Sequence, residues 1–98
     1  MNPSDALGDA TIDERALSKL RWRCRRGLLE NDLFIERFFN RFSASITVRQ
    51  AHALGILMDL SDNDLLDLHL ARKSLTQVDA FIDKEDVREV LKMLRETR

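Results

Sequence analysis

The chain has 98 residues, of which 44% are apolar and 34% charged, the mixture of a folded globular domain rather than of a disordered or membrane protein. At this length it forms one small domain, with no room for separate substrate and cofactor domains. Its 16 Lys and Arg residues nearly balance its 17 Asp and Glu residues, which leaves a net charge of −1. General binding to polyanions is therefore not favoured, and no apolar run approaches the roughly 18 residues of a membrane-spanning helix.

The N-terminal segment differs from the rest of the chain. Residues 1–11 contain Pro3 and Gly8 and few large apolar side chains, which predicts a flexible leader before a single domain at residues 12–98. The acidic start has the features of neither a secretion signal nor a transit peptide. Cys24 is the single cysteine and cannot form an intramolecular disulfide, so we expect a reducing, cytoplasmic setting.

Apolar residues recur at steps of three and four along the chain, and only one proline and three glycines interrupt it. This pattern predicts a compact, bundle-like all-α domain of five helices. The first helix is predicted from about residue 13 to 26, with Gly27 as its C-terminal stop. The second is predicted from about 29 to 42 and is apolar over a wide arc, which makes it the central helix. Its predicted buried residues are Leu33, Phe34, Ile35, Phe38, Phe39 and Phe42.

Capping motifs mark the next two helices. The sequence "TVRQ" at 47–50 is a capping box, so a third helix is predicted to begin at Thr47. The sequence "SDND" at 61–64 predicts a short fourth helix capped by Ser61. We expect these two helices to bury Ala51, Leu54, Leu57, Met58, Leu65, Leu66 and Leu68.

The last predicted helix follows a loop near residues 73–82. The sequence "DKED" at 83–86 places acidic residues where the positive end of a helix dipole favours them. An apolar stripe at positions i, i+3, i+4 and i+7 follows it, which predicts a helix with one buried face. The buried residues of this stripe are Val87, Val90, Leu91 and Leu94.

The sequence offers few candidates for catalysis or metal binding. His52 and His69 lie on different predicted helices, without a second histidine or cysteine at zinc-ligand spacing. The chain has no glycine-rich phosphate loop and no nucleophile elbow. We therefore predict no metal site, no tightly bound cofactor and no enzymatic activity of its own.

A basic stretch surrounds Trp22 and contains Arg21, Arg23, Arg25 and Arg26. Arginines next to an aromatic ring are typical of some nucleic-acid-binding surfaces. On a helix, however, these arginines spread around much of the circumference instead of forming one row. A solvated face that favours the helix dipole is the simpler interpretation.

The turn between the first two helices is the strongest candidate for function. It places Arg26 at the end of one helix, Gly27 in the turn and Glu30 in the first turn of the next helix. An ordinary helix end followed by a connecting turn, without a binding role, would also explain this arrangement. A glycine also allows a partner's backbone to approach closely, and the planar fork of an arginine suits a carboxylate or phosphate on that partner.

The sequence "RRGLLENDLFIERFF" resembles the signature of the succinate dehydrogenase assembly factors, or flavinators. The residues in matching places are Trp22, Arg25, Arg26, Gly27, Leu28, Glu30 and Asp32. A later family element is similar to "LMDLSDNDL" at 57–65, so that the resemblance spans roughly residues 15–70. The sequence departs from the family pattern at Asn31, Leu68 and His69.

The resemblance implies a five-helix protein that binds the flavoprotein subunit of succinate dehydrogenase, and in some bacteria that of fumarate reductase. It implies that the chain promotes covalent attachment of FAD to a histidine of that subunit, as a monomeric chaperone without a catalytic site. The residues it implies for partner binding are Arg26, Gly27, Glu30, Arg25, Asp32 and Trp22. Two alternatives stay open, an antitoxin-like regulatory interaction protein and a small nucleic-acid-binding protein.

Overall fold

The computed structural model describes residues 10–25 and 27–96. Within these ranges the protein is all-α, as predicted, with six α-helices and one 3₁₀ helix. The helices are α1 (Glu14–Arg23), α2 (Leu29–Phe42), α3 (Val48–Met58), α4 (Asp62–His69), α5 (Leu75–Val78), the 3₁₀ helix (Ala80–Ile82) and α6 (Glu85–Glu96). None of the helices in these ranges has the length and apolarity needed to cross a membrane.

Side-chain caps define several helix starts, and the predicted ones are confirmed. Asp13 accepts a hydrogen bond from the Ala16 backbone N–H at 2.7 Å. Thr47 and Gln50 form both bonds of the predicted capping box, each at 3.1 Å. The Ser61 hydroxyl accepts a hydrogen bond from the backbone N–H of Asp64 at 3.2 Å. These bonds satisfy donors that the first turn of a helix leaves without partners.

The predicted loop at 73–82 is wrong. Ser74 and Gln77 form a second capping box, which starts α5. The carboxylate of Asp79 then accepts from the Phe81 backbone N–H at 3.0 Å and starts the 3₁₀ helix. The segment is therefore helical over most of its length, and the predicted count of five helices is too low.

The predicted end of the first helix is also wrong. Helix α1 ends at Arg23, and Cys24 is its C-cap, with a φ of −83°. No glycine in the described ranges has a positive φ, so Gly27 is not the left-handed stop that the sequence predicts. Cys24 is completely buried in the core, and its backbone N–H closes the last turn of α1 on the Leu20 carbonyl at 3.0 Å.

The core is formed mainly by α2, α3 and α6. Helix α6 packs on α2, α3 and α4, while α1 packs on α3. The predicted stripe of α6 is confirmed, because all four of its apolar residues are buried. On α2 the prediction is wrong for Leu33, which is 40% exposed, whereas Asn31 is completely buried.

The first described residues pair with the start of α3. The backbone N–H of Ile12 donates to the Ile46 carbonyl, and the N–H of Val48 donates to the Ala10 carbonyl, both at 2.9 Å. These bonds flank an isolated antiparallel bridge between Thr11 and Thr47. The greater part of the predicted leader, residues 1–9, lies outside the described residues, and so do residues 97 and 98.

Candidate partner-binding site

The candidate site is centred on the connection between α1 and α2. Cys24 anchors its beginning in the core, and Leu28 caps α2 in an extended conformation without a side-chain cap bond. Gly27 between them is exposed, and apart from its chain neighbours, the one atom of the described residues within 4 Å of a Cβ placed there is Asp62 Oδ2, at 3.9 Å. Arg26, the arginine of the predicted motif, lies outside the described residues.

A buried hydrogen bond fixes the first turn of α2 on the start of α4. Asn31 Nδ2 donates to the backbone carbonyl of Asp62 at 2.9 Å and to its carboxylate at 3.3 Å. Asp62 is the first residue of α4 and is also the residue nearest to the Cβ position of Gly27. The start of α2, and with it the connection to α1, is therefore bonded to α4, while Gly27 itself faces solvent.

The predicted site residues fall on two different faces of α2. Glu30 and Asp32 are two residues apart, so their side chains point about 200° apart around the helix. Asp32 lines a groove between α1 and α2, and Glu30 is exposed outside it. The structure therefore groups Trp22, Arg25 and Asp32 together and separates them from Glu30.

The groove between α1 and α2 has a volume of about 630 Å³. Its floor contains apolar side chains of α2, and charged side chains from both helices form its walls. Its lining residues are Ser18, Arg21, Trp22, Cys24, Arg25, Asp32, Ile35, Glu36 and Phe39.

Two arginines of the groove lie over aromatic rings. The guanidinium carbon of Arg25 is 5.0 Å from the centre of the Trp22 ring, and that of Arg21 is 5.4 Å from the centre of Phe39. A guanidinium in this position is attracted by the face of the ring and still has its in-plane N–H donors available. Arg21 belongs to the last turn of α1 and Arg25 follows the C-cap of that helix, and both line the groove.

Arg23 lies on a different side of α1. Its guanidinium is 3.5 Å from the Asp59 carboxylate and lies close to Gly55, where an added Cβ would meet Arg23 Nη1 at 3.1 Å. The predicted dispersal of the arginines is thus confirmed for the three that the structure describes. Two face the groove, and the third joins α1 to α3.

The two histidines are placed as structural residues rather than as a pair. His52 is exposed on α3, while His69 is buried, with its ring 4.6 Å from that of Phe34. In the described part of the chain, no group of three or more His, Cys, Asp or Glu side chains is arranged to hold a metal ion.

Six of the nine groove residues are not among the predicted site residues, namely Ser18, Arg21, Cys24, Ile35, Glu36 and Phe39. Ile35 and Phe39 were assigned to the core because of their apolar periodicity, and both are in fact largely buried. The position of Glu36 one turn after Asp32 is a signal that the sequence contains. Which helix packs beside this turn of α2 depends on long-range packing, and the local sequence pattern does not predict it.

The fold and this surface define a small all-α protein that presents an exposed interhelical turn and a charged groove. A family model described as "Flavinator of succinate dehydrogenase" matches residues 18–98. The chain belongs to this family, and the resemblance read from its motif is confirmed.

Several curated proteins are similar to the chain. The FAD assembly factor SdhE of Ralstonia nicotianae is 48% identical over 83 residues, which cover 85% of this chain and 84% of that protein. The SdhE proteins of Coxiella burnetii and Legionella pneumophila (strain Lens) are 40% and 37% identical over 53% and 55% of this chain. Those matches cover 63% and 68% of the two relatives. No solved structure matches the chain significantly.

Proposed function

We propose that this chain is an assembly factor that binds the flavoprotein subunit of succinate dehydrogenase and promotes covalent attachment of FAD to it. Family membership over residues 18–98 carries the proposal, and the name of the relative from Ralstonia nicotianae agrees with it. The chain acts as a chaperone without a catalytic site. FAD is held by the partner subunit, which also contributes the histidine that becomes attached.

The contact with the partner is made by the turn between α1 and α2. Support comes from the open space around Gly27 and from the exposed Glu30. In the proposed arrangement the guanidinium of Arg26 binds an acceptor on the partner, and Glu30 accepts from a partner cation. Trp22, Arg25 and Asp32 extend this contact into the groove.

Such a contact promotes flavin attachment without any chemistry on this chain. Attachment requires a histidine at attack distance and stabilisation of the negative charge that develops on the flavin ring. Preorganising these groups in the partner lowers the barrier. We also propose that the chain acts as a monomer in the cytoplasm and that it serves fumarate reductase where an organism has that enzyme.

The two alternatives receive no comparable support. The groove is lined by Asp32 and Glu36 as well as by Arg21 and Arg25, and carboxylates in such a lining repel a nucleic-acid backbone. No feature of the described residues favours a toxin as partner.

The test measures covalent flavin on the partner subunit in a strain that lacks the native gene. We expect Arg26→Ala, Gly27→Arg and Glu30→Ala to leave the subunit largely without covalent flavin. Because Gly27 does not have a positive φ and has open space around it, Gly27→Arg should change the free energy of unfolding by no more than about 0.5 kcal/mol.

Matched controls separate the turn from the rest of the surface. Arg15→Ala and Glu89→Ala remove the same side-chain types at exposed helical positions away from the turn and should retain full flavinylation. Full flavinylation by Arg26→Ala and by Gly27→Arg would refute the proposed site. Absence of flavinylation with the wild-type chain would refute the function.

A further inference from the structure

Large apolar side chains are exposed around the groove. The described part of the chain has five large apolar residues with substantial exposure, and three of them belong to α1 or α2: Trp22 at 72%, Leu29 at 67% and Leu33 at 40%. Trp22 lines the groove itself. Leu29 and Leu33 precede Asp32 and Glu36 by three residues each, so they neighbour these carboxylates on the surface of α2. Apolar side chains beside a groove are typical of a protein-binding surface.

The two walls of the groove carry opposite charges. The wall formed by α1 and the residue after its C-cap, called the α1 wall, presents Arg21 and Arg25, and the α2 wall presents Asp32 and Glu36. Neither arginine forms an ion pair within the ranges that the structure describes, and both lie against aromatic rings. The floor between the walls is apolar, with Ile35 and Phe39.

We propose that this groove binds a segment of the flavoprotein partner that carries a carboxylate on one side, a cationic side chain on the other and an apolar side chain between them. This inference rests on the proposed function. The carboxylate binds the guanidinium of Arg21, whose in-plane donors suit a bidentate contact. The cationic group binds Glu36, and the apolar side chain fills the space beside Ile35.

Because its two walls carry opposite charges, the groove favours one orientation of a bound segment. A segment that enters in reverse places its carboxylate beside Glu36 and its cation beside Arg21, and such like-charge contacts are strongly unfavourable. A polyanion meets the same repulsion on the α2 wall. The groove therefore selects a mixed-charge segment in one orientation, and Arg21 and Glu36 determine that specificity.

The test exchanges the charges of the two walls. The purified apo flavoprotein subunit of succinate dehydrogenase is titrated with the wild-type chain, with Arg21→Glu, with Glu36→Lys and with the double variant. We expect each single variant to weaken binding by roughly tenfold or more, since truncating or reversing a buried interfacial charge has effects of this size. The double variant has the net charge of the wild type. It should nevertheless bind as weakly as the single variants, because both contacts are reversed.

Two further measurements make the result decisive. Lys19→Glu changes the net charge by the same amount as Arg21→Glu at an exposed position on the same helix, outside the groove lining, and should bind within about threefold of the wild type. Trp22 is the only tryptophan, so fluorotryptophan incorporated into this chain gives a single fluorine resonance. We expect this resonance to shift when the unlabelled partner subunit is added. Circular dichroism melting curves confirm that every variant is folded.

The outcomes distinguish failure of the inference about the groove from failure of the proposed function. If the wild-type chain supports flavinylation, but the double variant binds as tightly as the wild type, net charge rather than the groove is responsible and the inference fails. An unshifted fluorine resonance in the wild-type complex also refutes it. If the wild-type chain neither binds the subunit nor supports flavinylation, both the inference and the proposed function are refuted.

Discussion

Asn31 places a polar side chain in the interior, where only a bond to Asp62 compensates for its burial. Its Nδ2 has two acceptors on Asp62, whereas its buried Oδ1 has no hydrogen-bond partner in the ranges that the structure describes. An unmade bond at a buried polar atom costs about 1–3 kcal/mol. The amide therefore contributes mainly to geometry, because it fixes the start of α2, and with it the turn, on α4.

Phe38 shows the opposite situation, since it is a completely buried ring at the centre of the molecule. It contacts Phe39 and Phe42, with ring centres 5.4 Å apart in each pair. Phe38→Asp would bury a carboxylate without a partner and should unfold the domain, because the cost exceeds about 3 kcal/mol.

The control for Phe38→Asp is Leu33→Asp on the same helix. Leu33 is 40% exposed, so a carboxylate there stays solvated and the variant should keep its helical circular dichroism. A folded Phe38→Asp variant would contradict the position of the core.

Single positions of α2 also mark the limit of what its sequence pattern predicts. A wide apolar arc identifies the buried face, and Phe34, Ile35, Phe38 and Phe39 are indeed buried. The edges of that arc are decided by neighbouring helices. Leu33 is 40% exposed although it belongs to the apolar arc, and Asn31 is buried where Asp62 provides acceptors for its amide.

At the scale of helices, the local sequence predicts where a helix begins better than where it ends. A capping box is complete within four residues, and the boxes at Thr47 and Ser74 both form. The Ser-x-x-Gln spacing at residues 74–77 is a local signal for the start of α5, which lies within the predicted loop. The end of α1 at Arg23 lies four residues before Gly27, the residue that the local pattern marks as the stop.

The end of α4 shows an unusual backbone position. Ala71 has a φ of 58°, the left-handed region that glycine adopts more easily than alanine. The N–H of Arg72 donates to the Asp67 carbonyl at 2.8 Å, and that of Ala71 donates to the Leu68 carbonyl at 3.1 Å. These two bonds form a Schellman motif, which places Ala71 at the position where glycine is usual.

Ala71→Gly should therefore stabilise the protein. A left-handed conformation costs an alanine roughly 1 kcal/mol or more, so removing the Cβ should raise the melting temperature by several degrees, since about 1 kcal/mol corresponds to roughly 4–8 °C in a domain of this size. The matched control is Ala16→Gly, at an exposed position inside α1, which should lower the melting temperature because glycine weakens a helix interior. A lower melting temperature for Ala71→Gly would contradict the Schellman geometry.

At the scale of the whole molecule, the site joins elements that are distant in sequence. The motif at residues 22–32 predicts a site at the turn, and the family model matches the chain over residues 18–98. The two-residue spacing of Glu30 and Asp32 by itself separates their side chains around α2, but the sequence pattern does not predict that Arg21 and Glu36 line one groove. That grouping depends on how α1 is oriented, and α1 packs on α3.

Because the groove depends on the packing of the helices, a destabilising substitution in α6 should also lower the stability of the groove. Leu94 is completely buried on α6, which packs on α2, α3 and α4. Leu94→Ala should lower the free energy of unfolding by about 2–5 kcal/mol, a large part of the roughly 5–15 kcal/mol of a domain. We expect the urea midpoint to fall equally by far-ultraviolet circular dichroism, which reports all helices, and by fluorescence of Trp22 in the groove. Coincident transitions are the mark of one cooperative unit. A fluorescence midpoint that stays at the wild-type value while the circular dichroism midpoint falls would show that α1 and the groove fold independently of α6.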